Sequence, residues 1–140
     1  MSWSAPVIIG LFIIAGICAL AWVKGGPSER AGAAVLVLAA LANILVHRLV
    51  PEGAQSFLLL AIDAVIAISF LMVALRYMSF WLGGAMLLQA AQFSLHAYYL
   101  VTETPHDRGY AIVNNLISYS LLACILAGTL LAWRRRAAAR

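Results

Sequence analysis

The sequence predicts an all-α membrane protein, a single bundle of five transmembrane helices that takes up residues 1–140. Of the 140 residues, 65% are hydrophobic and only 10% are charged, with a mean hydropathy of +0.99. A soluble domain of this size could not cover its surface with so few charges. The apolar residues also fall into five segments, each close to the ~20 residues that a bilayer core of about 30 Å requires.

We place the five spans at residues 5–23, 30–49, 56–76, 78–101 and 109–133. The first span resembles a cleavable signal, because Ala19-Leu20-Ala21 has the small-x-small form of a cleavage site. However, no basic residue precedes this span and Lys24 follows it, which is the reverse of the polarity of a signal peptide. We therefore expect the first span to be retained.

Local signals mark several ends of the other spans. Ser28 is predicted to cap the second span, and residues 104–107 (TPHD) read as a cap, a proline and a first-turn acid for the fifth. The Arg76-Tyr77 link between the third and fourth spans is so short that these helices must form an antiparallel hairpin. Trp81, at the start of the fourth span, is predicted to join an aromatic belt at the inner membrane surface.

The distribution of lysine and arginine orients the predicted bundle. With the N-terminus outside, seven of the nine basic residues fall on the inner side, and Arg48 and Arg108 fall on the outer side. The inner set is Lys24, Arg30, Arg76, Arg134, Arg135, Arg136 and Arg140. Because positive residues accumulate on the cytoplasmic side, we expect a cytoplasmic C-terminus in a bacterial-type inner membrane.

The fourth span carries Gln89, Gln92, His96 and Tyr99 at positions i, i+3, i+7 and i+10, on one helix face. Polar groups in hydrocarbon are costly without partners, so this face should point into protein or into a wet cavity. Helical rise places polar residues of four spans in one layer in the outer half of the membrane. The layer consists of Asn43, Asp63, Gln89, Gln92, His96, Asn114, Asn115 and Tyr119.

Asp63 is the only acidic residue inside a predicted span. An aspartate in the bilayer should be protonated or paired, and His96 on the adjacent helix is the cation nearest in depth. Two interpretations follow. Either the two residues form a structural contact that sets helix register, or they form a protonatable site that faces a cavity open to the outside.

Cofactor, metal and catalytic motifs give little support to other chemistries. His47 and His96 come closest to a bis-histidine haem pair, but His47 lies shallower, at the very end of its helix. No metal-ligand or catalytic motif occurs, so we predict neither catalytic residues nor a metal site, although Asp63, His96 and Tyr119 could serve an enzyme of lipid or quinone. Cys18 and Cys124 read as small buried hydrophobes. Nucleic acid is not an expected partner, because no basic and aromatic surface exists to bind it.

Three functions remain as hypotheses. The first is a small accessory or scaffolding subunit of a larger inner-membrane complex or homo-oligomer, with membrane lipids and other subunits, or itself, as partners. The second is a proton- or cation-responsive carrier or channel component that uses the polar layer. The third, with less support, is a haem- or quinone-binding membrane subunit. A bound lipid stays open as a ligand.

Overall fold

The computed structural model describes residues 5–140, and this part of the chain forms five α-helices. They are α1 (Ala5–Lys24), α2 (Pro27–Leu49), α3 (Glu52–Tyr77), α4 (Phe80–Val101) and α5 (Arg108–Ala138). By length and composition, α1, α2, α3 and α5 are able to cross a membrane. Helix α4 has 22 residues and no Asp, Glu, Lys or Arg. Its two glutamines and one histidine lower its mean hydropathy, and it is not among these four helices.

Two predicted helix caps are wrong. Helix α2 begins at Pro27 with Gly26 as its N-cap, because the Glu29 carboxylate accepts the Gly26 backbone N–H at 2.7 Å and leaves no capping role for Ser28. Helix α5 begins at Arg108, where Asp107 accepts the Tyr110 backbone N–H at 2.8 Å. Thr104 and Pro105, predicted to open this helix, lie in the preceding loop.

The helix boundaries also differ at the other ends. Helix α5 continues to Ala138, so that three of the four tail arginines extend the last span as helix. Helix α3 runs through Tyr77, and the link to α4 is Met78-Ser79, with Met78 in the left-handed region at φ 50°. The α3–α4 hairpin predicted from the short link is present.

Each helix packs against the next along the chain, and α5 also contacts α1 and α2. A core of buried side chains between the helices contains Ile66, Phe70, Leu82, Ala85 and Leu121. The alternating helix directions create two ends. We call the end with the α2–α3 and α4–α5 loops the cavity end, and the end with the α1–α2 and α3–α4 links the tail end.

Trp81 holds the tail end together. Its indole ring lies between Gly32 of α2 and Gly128 of α5, where an added Cβ would come within 2.6 Å of ring atoms at either glycine. Its Nε1–H donates to Glu29 Oε1 at 2.9 Å. Trp81 therefore packs between helices and not in the aromatic belt predicted for it. Only backbone without a Cβ permits this close approach.

Large apolar side chains cover the outer surface of the bundle. Every helix exposes some of them, as expected of helices that face lipid. Examples are Phe12, Leu38, Phe57, Met72, Leu87 and Leu116.

Candidate functional site

Asp63 of α3 and His96 of α4 form a buried pair. His96 Nδ1 donates to Asp63 Oδ2, and Asp63 is only 5% exposed. The second carboxylate oxygen, Oδ1, accepts from Gln89 Nε2 at 3.3 Å. Both oxygens of this carboxylate therefore have a donor, which offsets the cost of placing an acid in the middle of an apolar helix.

Gln92 connects this pair to α5. Its Nε2 lies 3.3 Å from His96 Nε2 and also donates to Asn114 Oδ1. Because Nδ1–H of His96 faces the carboxylate, its Nε2 is the acceptor in the neutral ring; this tautomer is assigned from the hydrogen-bond partners. Asp63, His96, Gln92 and Asn114 thus form a continuous polar chain across three helices, which we call the relay.

The relay contains one unsatisfied atom. In residues 5–140, Gln92 Oε1 is buried and has no hydrogen-bond partner. Buried polar atoms without partners are uncommon and point to strain, to a bound molecule or to a second arrangement of the group. A half-turn of the amide would exchange this oxygen with the nitrogen that now faces His96.

Above the relay, the cavity end holds a cavity of about 360 Å³, which we call the aromatic cavity. His96 lies one helical turn deeper along α4 than Tyr99, the next lining residue. The residues that line the aromatic cavity include Ser56, His96, Tyr99, Glu103, His106 and Tyr110. The buried pair is therefore in direct contact with an open space through the His96 ring.

Four rings form a continuous cluster along this cavity. The centroid of Tyr110 lies 4.1 Å from that of His106, 5.0 Å from that of Tyr99 and 5.6 Å from that of His96. The Tyr99 hydroxyl donates to Asp107 Oδ1 at 2.8 Å. The Tyr110 backbone N–H and this hydroxyl hold the pKa of Asp107 below its usual range, so Asp107 is negative at neutral pH.

Next to Gln89, on the side of the cluster away from the cavity, the neighbouring buried side chains are apolar. Gln89, 4% exposed, is the deepest polar side chain of α4 in the cluster. Phe70, Leu82 and Ala85, all fully buried and apolar, come next. The cluster is therefore open toward the aromatic cavity and closed by packed side chains on the other side.

Three residues of the predicted layer do not join the hydrogen-bonded cluster. Asn43 Nδ2 donates to Ala39 O of its own helix at 3.0 Å, so its side-chain bond stays within α2. Asn115 and Tyr119 are exposed on the side of α5 turned away from the bundle, and Tyr119 is 55% exposed. The structure brings together Asp63, Gln89, Gln92, His96 and Asn114 and leaves the other three outside the cluster.

The histidine geometry gives no support to haem. His47 is exposed, and its Nδ1 lies 2.9 Å from Asn43 O in its own helix. Both ring nitrogens of His96 have protein partners, so an iron would have to displace Asp63 or Gln92. Across residues 5–140, no three His, Cys, Asp or Glu side chains converge closely enough to hold a metal ion.

Sequence reasoning missed the residues that complete the cavity and the tail end. His106 lies in the loop two residues before α5, so no helical spacing indicates its contact with Tyr110. Glu29 falls between the predicted spans 5–23 and 30–49, although it is 5% exposed and accepts three hydrogen bonds, from Gly26, Ser28 and Trp81. The pairing of Glu29 with Trp81, 52 residues apart, has no local signal.

No family profile matches the chain, and searches of curated proteins and of solved structures found no match. We therefore infer the function from the site itself, because a fold alone does not imply a function. The features that carry it are the buried Asp63–His96 pair, the relay to Asn114 and the aromatic cavity above them.

Proposed function

We propose that the protein is a proton- or cation-responsive component of a membrane carrier or channel, with the Asp63–His96 pair as its responding group. The observation that carries this proposal is the position of the pair, buried on one side and joined to the aromatic cavity on the other. Histidine is the side chain whose ordinary pKa places its charge change between pH 5 and 8. A histidine that lines an open cavity and bonds a buried acid is suited to exchange protons with that cavity.

The proposal includes five membrane crossings, so that α4 crosses the membrane in addition to the other four helices. The polar groups that reduce the hydropathy of α4 are bonded within the bundle: Gln89 and His96 to Asp63, and Gln92 to Asn114. Their cost in lipid is thereby offset, and α4 packs between α3 and α5. The excess of basic residues at the tail end supports an outer cavity end and a cytoplasmic C-terminus in a bacterial-type inner membrane.

The relay suggests how a proton would be sensed. Protonation of His96 converts Nε2 from an acceptor into a donor, which then faces the donating Nε2 of Gln92. Rotation of the Gln92 amide brings its unpartnered Oε1 to this N–H. The rotation removes the donor from Asn114 Oδ1, so the Asn114 amide must turn as well. One proton at the cavity thus changes the contact between α4 and α5.

The closed side of the cluster limits what one copy can do. Packed apolar residues follow Gln89 toward the tail end and, within residues 5–140, interrupt the polar path across the bundle. A carrier or channel would need a helix rearrangement or several copies around a shared path. We therefore propose a responding component and not a complete pore within one chain.

A second candidate, the accessory or scaffolding subunit, is favoured by a groove between α2 and α3. This groove has a volume of about 320 Å³ and a nearly apolar lining. The small side chains of Ala39, Ala42 and Ala61 lie in it, and small residues let another helix approach closely in a membrane. Such a surface fits a subunit of a larger complex or of a homo-oligomer.

The test is an NMR titration of the full chain in lipid nanodiscs with labelled histidine, glutamine and asparagine. We expect the side-chain amide signals of Gln92 and Asn114 to shift with the same midpoint as the His96 ring. His96→Gln should remove that response, whereas His47→Gln, which changes an exposed histidine, should leave it intact. Amide signals that stay constant while His96 titrates would contradict the proposal and favour the scaffolding function.

A further inference from the structure

The aromatic cavity carries more negative than positive charge close to its wall. Glu103 lines it, and across residues 5–140 its carboxylate makes no hydrogen bond or ion pair. Asp107 lies behind Tyr99 and stays ionised because its pKa is lowered by the Tyr110 N–H and the Tyr99 hydroxyl. Asp63 lies behind His96. Arg108, next to Asp107 in sequence, is exposed and does not line the cavity.

Glu103 is also held in an unfavourable backbone conformation. Its φ is 51°, in the left-handed region that residues other than glycine seldom adopt. A residue that directly follows a helix often adopts this conformation, and Glu103 follows the C-cap of α4. Here the conformation accompanies the placement of an unpaired carboxylate at the cavity.

The aromatic rings that line the cavity together with Glu103 are suited to a cation. Tyr99, His106 and Tyr110 are in mutual contact with centroid distances of 4.1 to 5.8 Å. The faces of aromatic rings attract ammonium groups. The hydrogen bond from the Tyr99 hydroxyl to Asp107 shifts electron density into the Tyr99 ring and strengthens this attraction.

We infer that the aromatic cavity binds a small organic ammonium ion, with Glu103 as its counter-charge and the rings of Tyr99 and Tyr110 as its wall. The volume of about 360 Å³ lies in the range of small-molecule sites. A quaternary or alkylated ammonium fits better than a metal ion, because aromatic rings and one carboxylate can hold it without three converging ligands. A neutral quinone ring or a lipid tail would gain nothing from the unpaired carboxylate.

Protons and the ammonium ion should compete. Of the titratable groups that line or adjoin the cavity, Glu103, Asp107 and Asp63 favour the ligand. The two histidines, His96 and His106, become positive on protonation and oppose it; Tyr99 and Tyr110 remain neutral. This competition rests on the proposed function, since it makes the ammonium ion the cation to which the Asp63–His96 pair responds. By linkage, each ligand weakens the other by the same factor.

Calorimetry on the full chain in zwitterionic nanodiscs tests the inference, with choline as the probe. Its control ligand is the neutral isostere in which a tert-butyl group replaces the trimethylammonium group. We expect choline to bind at about pH 8 and to bind roughly tenfold more weakly at about pH 5.5, and the isostere to bind at neither. Glu103→Gln and Tyr110→Leu should each weaken choline binding at least about fivefold. The matched controls Glu52→Gln and Tyr119→Leu, which change exposed residues outside the cavity, should not.

Each result decides a separate claim. Equal binding of choline and its isostere, or full binding by Glu103→Gln, would overturn the ammonium site even if the NMR titration of the relay succeeds. Selective choline binding with equal affinity at both pH values would overturn the competition. The proposed function fails if the side-chain amides of Gln92 and Asn114 do not shift when His96 is protonated, whatever the result with choline.

Discussion

The indole Nε1–H of Trp81 donates to Glu29 Oε1 at 2.9 Å and so joins the start of α4 to the start of α2. Glu29 also accepts the Gly26 N–H at 2.7 Å and the Ser28 hydroxyl at 2.8 Å. Close by, Arg136 Nη2 donates to Gly25 O at 2.7 Å, which ties in the end of α5. The tail end is therefore held by polar contacts around one buried carboxylate, while the cavity end stays open.

Filling the space beside Trp81 should destabilise the bundle. A Cβ at Gly128 would come within 2.7 Å of Cγ, Cδ1 and Nε1, the part of the indole nearest its attachment, which has little freedom to move. We expect Gly128→Ala to cost about 1–3 kcal/mol of unfolding free energy. Gly83→Ala is the matched control, because nothing lies within 4 Å of its added Cβ and alanine favours a helix. Thermal unfolding in detergent measures both, and equal stability of the two variants would show that the ring can shift freely.

The Glu29 carboxylate should not be replaceable by an amide. Three donors converge on its two oxygens, and glutamine offers only one oxygen and turns its NH₂ group toward a donor. We expect Glu29→Gln to lose about 1–3 kcal/mol, since a buried donor is left without an acceptor. Trp fluorescence during denaturation measures this loss. Glu52→Gln, at an exposed site, is the control, and a Glu29→Gln variant as stable as this control would contradict the prediction.

Asp63→Asn should preserve the fold and weaken the response, because the carboxylate that pairs with protonated His96 is lost. Asparagine keeps an oxygen for the His96 Nδ1–H, and its NH₂ group can donate to the oxygen of a rotated Gln89 amide. We expect stability within about 1 kcal/mol of wild type, whereas Asp63→Leu should lose about 1–3 kcal/mol because both donors lose their acceptor. Thermal unfolding compares the two variants, and the NMR titration of Gln92 reports the response. Wild-type amide shifts in Asp63→Asn would argue for a purely structural pair.

Asp107 should make the cavity end sensitive to acid. Its pKa is lower in the folded chain than its ordinary value, so its stabilising effect is present above about pH 4 and is lost as the pH falls through the lowered pKa. Asparagine also caps helices but does not titrate in this range. The difference in melting temperature between wild type and Asp107→Asn should therefore be constant from about pH 7 to pH 5 and change below about pH 4. A difference that is the same at about pH 3 would show that the carboxylate charge is not involved.

The sequence by itself determined the helices and several neighbour relations. Long apolar segments dictate helices, because apolar side chains cover a backbone that satisfies its own hydrogen bonds. The short link after Tyr77 made α3 and α4 adjacent, and that adjacency made His96 the available partner for Asp63. Both inferences depend only on chain connectivity and on the cost of an unpaired acid in lipid.

Only the tertiary structure decided how each helix is rotated about its own axis. These helices are apolar on nearly all sides, so their sequences specify no single buried face. Packing against neighbours therefore set which of two adjacent asparagines, Asn114 or Asn115, points inward, and it turned Tyr119 outward. The same nonlocal packing inserted Trp81 between two glycines and closed the aromatic cavity around His96, contacts that no local pattern specifies.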